Sequence, residues 1–412
     1  MRILILPLLL SLPLISGACT AFKLTHDGRT LVGNNEDAWS INAQVRFEQG
    51  KDGGYGAIYF GHFNGLPYRP MVDQMGMNEA GLVFDGLSVQ TKDVEPISGR
   101  KQLPFQEHMP MVMRSCATVH EAAVLLRTYD LSWLMHAMLF LVDRNGDHLI
   151  VEADTMIFGN DPSFALGNWR MSTCTDPEAI PIPRLQKGRA LLAAGADTTL
   201  ERGEEVLHSM IACRKMMGEG TLFSTLFDTE AGSVDLWFYH DFSTKVTFNL
   251  QEELAKGDRV VAMVLLFTPS IEYGALLAYS TPFNHRWLFW ALAALAGLMV
   301  LTGLVCAVLF VVRAVRHLLS KPTGPLLPAL WLGLACAVLT VLTGILLTQQ
   351  GVYYFGFGDV AAIAARLPLL LIALLALLAW SSRHVPRWKL AVGAVAFLPF
   401  LALLGYWGTL WP

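Results

Sequence analysis

Residues 19–37 read CTAFKLTHDGRTLVGNNED, and this stretch predicts a β-hairpin at the start of a folded domain. The Asp-Gly pair in its centre is typical of a tight two-residue turn, because such turns need backbone torsions that glycine adopts readily. The residues on either side of the pair are rich in strand-forming types. Cys19 therefore starts one strand, and the polar segment at residues 33–37 returns beside it at the end of the other.

The residues before Cys19 predict a secretory signal peptide over residues 1–18. They combine a positive charge at Arg2, a short apolar run, and small residues at Ser16 and Ala18. These features are typical of the n-region, the h-region and the cleavage site of a signal peptide. Cleavage after Ala18 would make Cys19 the mature N-terminus. Two other interpretations stay open, a lipoprotein signal that also ends before a cysteine and an uncleaved anchor.

The chain of 412 residues is 53% hydrophobic and 16% charged, and the apolar excess lies towards its C-terminal end. Four apolar runs predict transmembrane helices, since each is long enough to cross roughly 30 Å of hydrocarbon. These runs are residues 287–312, 326–347, 360–380 and 390–411. The predicted organisation is a signal peptide at 1–18, a globular domain at 19–283 and a four-span membrane region at 284–412.

The loops between the apolar runs predict the orientation of the chain. The loops at residues 313–324 and 381–389 carry several Lys and Arg residues, whereas the loop at 349–359 carries none. The positive-inside rule places the two basic loops on the cytoplasmic side. The globular domain is then exported to the periplasmic or extracellular side of a multi-pass membrane protein. A net charge of −4 gives no indication of a nucleic-acid partner.

The globular part predicts strands and helices in blocks. Residues 137–154 and 235–250 have the pattern of strand pairs, with Asn-Gly at the turn of the first. Residues 118–130, 184–197 and 203–220 have helical spacing of apolar side chains. Blocks of this kind, without strict alternation of strand and helix, favour an α+β fold with antiparallel sheets.

A cysteine at a new N-terminus would combine a nucleophile and a base in one residue. Free α-amino groups titrate near about 7.7–8.0, so a fraction is unprotonated at neutral pH and can accept a proton. Cysteine is intrinsically a good nucleophile once its thiol loses its proton. The pattern at Cys19 therefore predicts an N-terminal nucleophile, although a structural cysteine that merely follows a signal peptide is the simpler interpretation.

The stretch at residues 19–37, followed by GMNEAGLVFDGLSV at residues 76–89, resembles the choloylglycine hydrolase and penicillin V acylase family. This family is a branch of the N-terminal-nucleophile hydrolases, and the resemblance covers roughly residues 19–266. It implies a four-layer αββα fold. It also implies hydrolysis of a linear, non-peptide amide bond through an acyl-thioester.

The resemblance implies roles for particular residues of this chain. Cys19 matches the family nucleophile, and Asp37 matches the aspartate that steadies the amino group. Asn168 matches an asparagine that donates a hydrogen bond to the oxyanion. Arg184 matches a distal arginine of the site.

Two positions depart from the family pattern. Asn34 follows Gly33 where an arginine often stands, which removes a positive charge near the thiol and counts against bile-salt or penicillin specificity. Ser88 stands where related proteins commonly carry asparagine, so its backbone N–H is the expected oxyanion donor. Asn34, Asn35 and Ser88 are therefore candidates for substrate binding and oxyanion stabilisation, although Asn35 could simply bond to the backbone near the turn.

The sequence thus predicts a membrane-anchored cysteine amidohydrolase that uses no cofactor and no metal. Its predicted partner is a small-molecule N-acyl amide, with a lipid-like acyl chain suggested by the membrane region. Two alternatives remain open: an N-acyltransferase that shares the thioester, and a membrane-anchored sensor or binding domain without turnover. The departures at Asn34 and Ser88 keep the second alternative open.

Overall fold

The computed structural model describes residues 19–37, 43–66, 69–102, 105–195, 197–214, 219–268, 270–319, 326–349, 351–382 and 387–411. The chain forms two compact units, one that ends at Leu276 and one that begins at Leu277. The predicted signal peptide lies outside the described residues. The functional division predicted after residue 283 stays a prediction.

The first unit is built mainly of antiparallel strands. Their bounds are β1 Thr20–His26, β2 Arg29–Asp37, β3 Ala43–Glu48, β4 Ala57–Leu66, β5 Arg69–Asn78, β6 Val83–Ser88, β7 Ala137–Val142, β8 His148–Glu152, β9 Thr155–Gly159, β10 Ser163–Gly167, β11 Cys213–Arg214, β12 Glu219–Asp228, β13 Ser233–Phe238, β14 Asp241–Asn249 and β15 Arg259–Ala262. Within the described ranges they form two sheets. The first has the order β10-β1-β2-β12-β13-β14, with β11 beside β12, and the second has the order β15-β3-β4-β5-β6-β7-β8-β9.

Helices flank these sheets and form the second unit. Their bounds are α1 Phe105–Ser115, α2 Val119–Leu126, α3 Pro183–Ala193, α4 Leu200–Ser209, α5 Leu250–Leu254, α6 Ile271–Ala278, α7 Arg286–Leu318, α8 Leu327–Thr348, α9 Val352–Phe355, α10 Leu367–Ser381 and α11 Arg387–Tyr406.

The two sheets pack face to face, and each covers its outer face with helices. Phe60 of β4 contacts Phe227 of β12 with ring centroids 5.7 Å apart, so aromatic side chains fill the space between the sheets. On one outer face, apolar residues of α1 and α2 pack on β6, β7 and β8. On the other, apolar residues of α3 and α4 pack on β1, β2, β12 and β13. The predicted α+β fold with αββα layers is confirmed.

The hairpin predicted at the start of the domain forms as expected. Asp27 and Gly28 make its turn with φ of 49° and 77°, and His26 pairs with Arg29. Both values lie in the left-handed region that a two-residue turn of this type requires. The predicted strand pairs at 137–154 and 235–250 also form, as β7–β8 and β13–β14.

The helix predictions are confirmed in two places and partly wrong in a third. The helix predicted at 118–130 is α2, which begins with a reciprocal capping box between Thr118 and Glu121. The helix at 184–197 is α3. The pattern at 203–220 is helical only as far as Ser209, since Cys213 and Arg214 pair with β12 instead. Sheet pairing overrides the local helical preference there.

The second unit contains helices that can cross a membrane. Within the described residues, Arg286–Leu318, Leu327–Thr348 and Ala364–Ser381 are long and apolar enough, and Phe397–Tyr406, the C-terminal part of α11, is a shorter apolar segment. Three of the four predicted spans thus have the required length, which is typical of a membrane protein. α7 continues beyond the predicted end at residue 312 to Leu318, and the basic residues Arg316 and His317 of its last turn interact favourably with the helix dipole.

Candidate active site

The register of the first hairpin places Cys19 opposite Glu36. Thr20 pairs with Asn35, and the next residues along the two strands are Cys19 and Glu36. The Cys19 Sγ donates a hydrogen bond to Glu36 Oε2 over 3.2 Å, and it lies 3.9 Å from the backbone oxygen of Asp37. Both Cys19 and Glu36 are buried. A thiol and a carboxyl group therefore form the centre of the site.

Asn168 directly follows β10, the other strand that neighbours β1. β1 pairs with β10 so that Thr20 lies opposite Gly167, which places Asn168 next to Cys19 in the register. The Asn168 Nδ2 donates to the backbone oxygen of Ser88 over 2.6 Å, and this bond joins the ends of the two sheets. A side-chain amide has two N–H donors, so one remains for a ligand.

Asp37 and Arg184 form a buried ion pair. The Arg184 Nη2 lies 2.8 Å from Asp37 Oδ2, and the side chains are 14% and 3% exposed respectively. The Thr221 hydroxyl donates to Asp37 Oδ1 over 2.6 Å. Arg184 reaches this position because it lies in the first turn of α3, against the first sheet. These contacts hold the Asp37 carboxylate in one place.

Asn34 connects the first sheet to an aspartate of the second. Its Nδ2 donates to Asp85 Oδ2, and both residues are buried. Asp85 lies in the middle of β6, and this contact joins residues that are 51 positions apart in the chain. Asp85 is thus the third carboxyl group of the site, beside those of Glu36 and Asp37.

Asn35 and Ser88 have other surroundings. The Asn35 side chain donates to the Leu207 backbone oxygen over 3.0 Å and accepts from the Ser224 hydroxyl over 2.6 Å, so its bonds lead towards α4. The residue Ser88 is exposed, and its backbone oxygen accepts the bond from Asn168. The structure therefore brings Cys19, Asp37, Arg184, Asn168 and Asn34 to one end of the sheets. The roles predicted for all seven residues stay predictions.

Burial and acidic neighbours favour the protonated forms of the Cys19 thiol and the Glu36 carboxyl group. Burial, followed by the charges of Glu36, Asp37 and Asp85, raises the pKa of the Cys19 thiol well above its usual range. Burial, with the Asp85 charge, also raises the pKa of Glu36.

The two aspartates of the site differ in how far their pKa rises. Burial raises the pKa of Asp85 to about 7, and the bonds from Asn34 and the Gly86 N–H oppose part of that rise. Burial raises the pKa of Asp37 as well, although Arg184 opposes this effect. With the chain continuous through residue 18, the site therefore favours a thiol over a thiolate.

Sequence reasoning missed Glu36 and Asp85. The signal for Glu36 was available, because a two-residue turn at Asp27 and Gly28 pairs Cys19 with Glu36 when the residues are counted back along both strands. No comparable local signal identifies Asp85, whose place depends on how the sheets stack. Within the described ranges, no group of three or more His, Cys, Asp or Glu side chains could hold a metal ion. The expected absence of a cofactor stays a prediction.

The fold and the site together define an α+β protein with αββα layers and a buried cysteine among carboxyl groups at the end of the first strand. No protein-family model matches the sequence, and no curated protein matches it significantly.

Among solved structures the chain is similar to two variants of conjugated bile acid hydrolase from Clostridium perfringens. The first has 16% identity and a TM-score of 0.46 over 59% of this chain and 96% of that one. The second has 15% identity and a TM-score of 0.47 over 61% and 97%. The chain is also similar to penicillin V acylase from Agrobacterium tumefaciens, with 16% identity and a TM-score of 0.44 over 56% and 85%. Similarity at this level does not establish a reaction for this chain.

Proposed function

We propose that this protein hydrolyses a linear, non-peptide amide bond of an N-acyl substrate through an acyl-thioester on Cys19. The observation that carries the proposal is the position of the Cys19 sulfur, 3.2 Å from Glu36 Oε2 and within the influence of Asp37 and Asp85. A buried thiol among three carboxyl groups is a poor nucleophile as it stands. It needs a nearby positive charge or base.

Removal of residues 1–18 would supply that group. Cleavage after Ala18 converts the Cys19 nitrogen from an amide into an amine, which in its protonated form carries a positive charge. That charge would oppose the carboxylates that raise the thiol pKa, and the unprotonated amine would accept the thiol proton. The acidic surroundings, unfavourable for an ordinary cysteine, are suited to a cysteine that carries its own amine.

The reaction then proceeds in two stages, acylation of Cys19 and hydrolysis of the acyl-thioester. The Cys19 sulfur forms a bond to the substrate carbonyl carbon while the α-amine takes the thiol proton. The second N–H of Asn168 donates to the oxyanion, and collapse of the intermediate breaks the C–N bond as the leaving amine receives the proton. Water then attacks the thioester, releases the carboxylic acid and restores the thiol. The Asp37–Arg184 pair holds the site in place during these steps.

The membrane helices support an acylated, lipid-like substrate. A catalytic domain fused to membrane-spanning helices would meet amides that partition into the bilayer. The basic residues at the C-terminal end of α7, Arg313 and Arg316, agree with a cytoplasmic position for that end and an exported catalytic domain.

The test uses the full chain purified in detergent. N-terminal sequencing should return Cys19 as the first residue, and an amide-mimicking electrophile should label it. Mass spectrometry should detect carboxylic acid release from a panel of N-acyl amides. A Cys19→Ala variant should lose both labelling and turnover, whereas Cys174→Ala, which removes a half-buried free thiol elsewhere in the chain, should retain both.

Three results would change the proposal. A different or acylated N-terminus would remove the base. Transfer of the acyl group to an added amine, in preference to water, would indicate an acyltransferase. An unreactive Cys19 without turnover on any substrate would indicate a binding domain.

A further inference from the structure

Among the described residues, three buried side-chain oxygens near the thiol lack both a hydrogen-bond partner and an ion-pair partner. They are Asn34 Oδ1, Asp85 Oδ1 and Asn168 Oδ1, and their residues are 2%, 2% and 7% exposed. The other polar atom of each side chain is bonded, from Asn34 Nδ2 to Asp85 Oδ2 and from Asn168 Nδ2 to the Ser88 backbone. A buried acceptor without a donor costs about 1–3 kcal/mol. These oxygens therefore indicate a ligand that carries N–H or O–H donors.

The same region contains three carboxyl groups, of Glu36, Asp37 and Asp85, and it gains negative charge as Asp85 loses its proton near neutral pH. Glu36 and Asp85 are close enough for their charges to interact, and both act on the Cys19 thiol. Arg184, the cation bonded to this site, is paired with Asp37. A ligand group that combines hydrogen-bond donors with a positive charge satisfies both features, whereas an anionic group satisfies neither.

We propose that the site binds an N-acyl amine whose amine part carries a second, cationic amino group close to the scissile amide, with Asp85 and Asn34 as its acceptors. This inference rests on the proposed hydrolysis at Cys19 and names its substrate class. Asp85 is then a specificity-determining residue that contacts the substrate. Amine parts that carry a carboxylate or sulfonate are disfavoured because they would meet the Asp85 carboxylate.

The charge on Asp85 gives the preference a pH dependence. The groups that face Asp85 are Asn34 and Glu36 from β2, the thiol of Cys19 just before β1, and its own β6 neighbour Gly86. Because burial raises the pKa of Asp85 to about 7, its carboxylate forms as the pH rises through neutrality. The kcat/KM of a cationic substrate, relative to that of a neutral one, should therefore increase between about pH 6 and pH 8.

The experiment compares three substrates with one acyl chain, namely N-acyl ethylenediamine, N-acyl propylamine and N-acyl glycine. Their amine parts are similar in length and are cationic, neutral and anionic. With the full processed chain we expect kcat/KM to fall in that order, by at least about tenfold at each step at pH 8, the scale of a charge-assisted hydrogen bond. The cation-to-neutral ratio should shrink at pH 6.

Asp85→Asn provides the decisive variant. It should bring the cation-to-neutral ratio close to one and remove its pH dependence, while Asp161→Asn, which changes an exposed carboxylate, should leave the ratio unchanged. An unchanged ratio in Asp85→Asn, or a preference for the anionic substrate, would overturn the inference. Equal kcat/KM values for the three substrates would indicate that the Cys19 α-ammonium itself donates to these oxygens. That result would also overturn the inference.

A second readout separates this inference from the proposed hydrolysis. The same three compounds can compete with electrophile labelling of Cys19, and protection should follow the same order without requiring turnover. Protection in that order without hydrolysis would contradict the hydrolase alone. Protection in any other order would contradict the substrate class, whatever the rate of hydrolysis.

Discussion

Replacing Asp85 by Asn should make the folded protein more stable at alkaline pH. The pKa of Asp85 rises from 3.8 to about 7 in the folded chain, chiefly through burial. A carboxyl group with a higher pKa when folded holds its proton more tightly in the folded state, so its ionisation opposes folding. This opposing contribution is absent below about pH 4, grows as the pH rises towards about 7, and is constant above that.

The size of the effect follows from the difference between the two pKa values. A difference of about three pH units corresponds to about 4 kcal/mol at 1.36 kcal/mol per unit. Asn is nearly the same size as Asp and cannot ionise. The Asp85→Asn variant should therefore match the unmodified protein near pH 4 and exceed its stability by up to about 4 kcal/mol at pH 8, or roughly 8–16 °C in Tm.

The assay is thermal unfolding of the full chain in detergent, followed by tryptophan fluorescence at several values between about pH 4 and pH 8. The matched control is Asp93→Asn, which removes an exposed carboxylate and should follow the unmodified protein throughout. If the Tm of Asp85→Asn and that of the unmodified protein changed in parallel with pH, Asp85 would not be a buried carboxyl group of raised pKa. A variant that is less stable at pH 8 would refute the reasoning more directly.

Three other substitutions test separate parts of the site. Arg184→Met leaves the Asp37 carboxylate buried without its cation and should lower the free energy of unfolding by about 3–5 kcal/mol, measured by denaturant titration; Asp37→Asn in the same chain should recover part of the loss. Gly33→Ala would put a Cβ 2.1 Å from Phe22 Cε1 and should cost about 1–3 kcal/mol in the same titration, and a loss unaffected by adding Phe22→Leu would argue against this clash. Asn168→Ala should lower kcat by about 10²–10³ with little change in KM, if its amide stabilises the oxyanion, and an unchanged kcat in steady-state assays would exclude that role.

Much of the fold could be predicted from local sequence. The Asp27-Gly28 turn, the Thr118 cap and the apolar C-terminal runs each carry their signal within a few neighbouring residues. The helical pattern at 203–220 failed past Ser209 because pairing of Cys213 with β12 is not a local property.

The candidate site also contains one contact that the sequence predicts and another that only the tertiary structure creates. The pairing of Cys19 with Glu36 follows from a two-residue turn and the strict alternation of a strand, so the sequence alone contains it. The contact between Asn34 and Asp85 and the pKa of about 7 at Asp85 depend on two sheets stacked face to face. Turn geometry and strand periodicity act between neighbours along the chain, whereas burial of a charge depends on every layer that covers it. For that reason the cysteine could be found by reading the sequence, but its acidic surroundings required the folded chain.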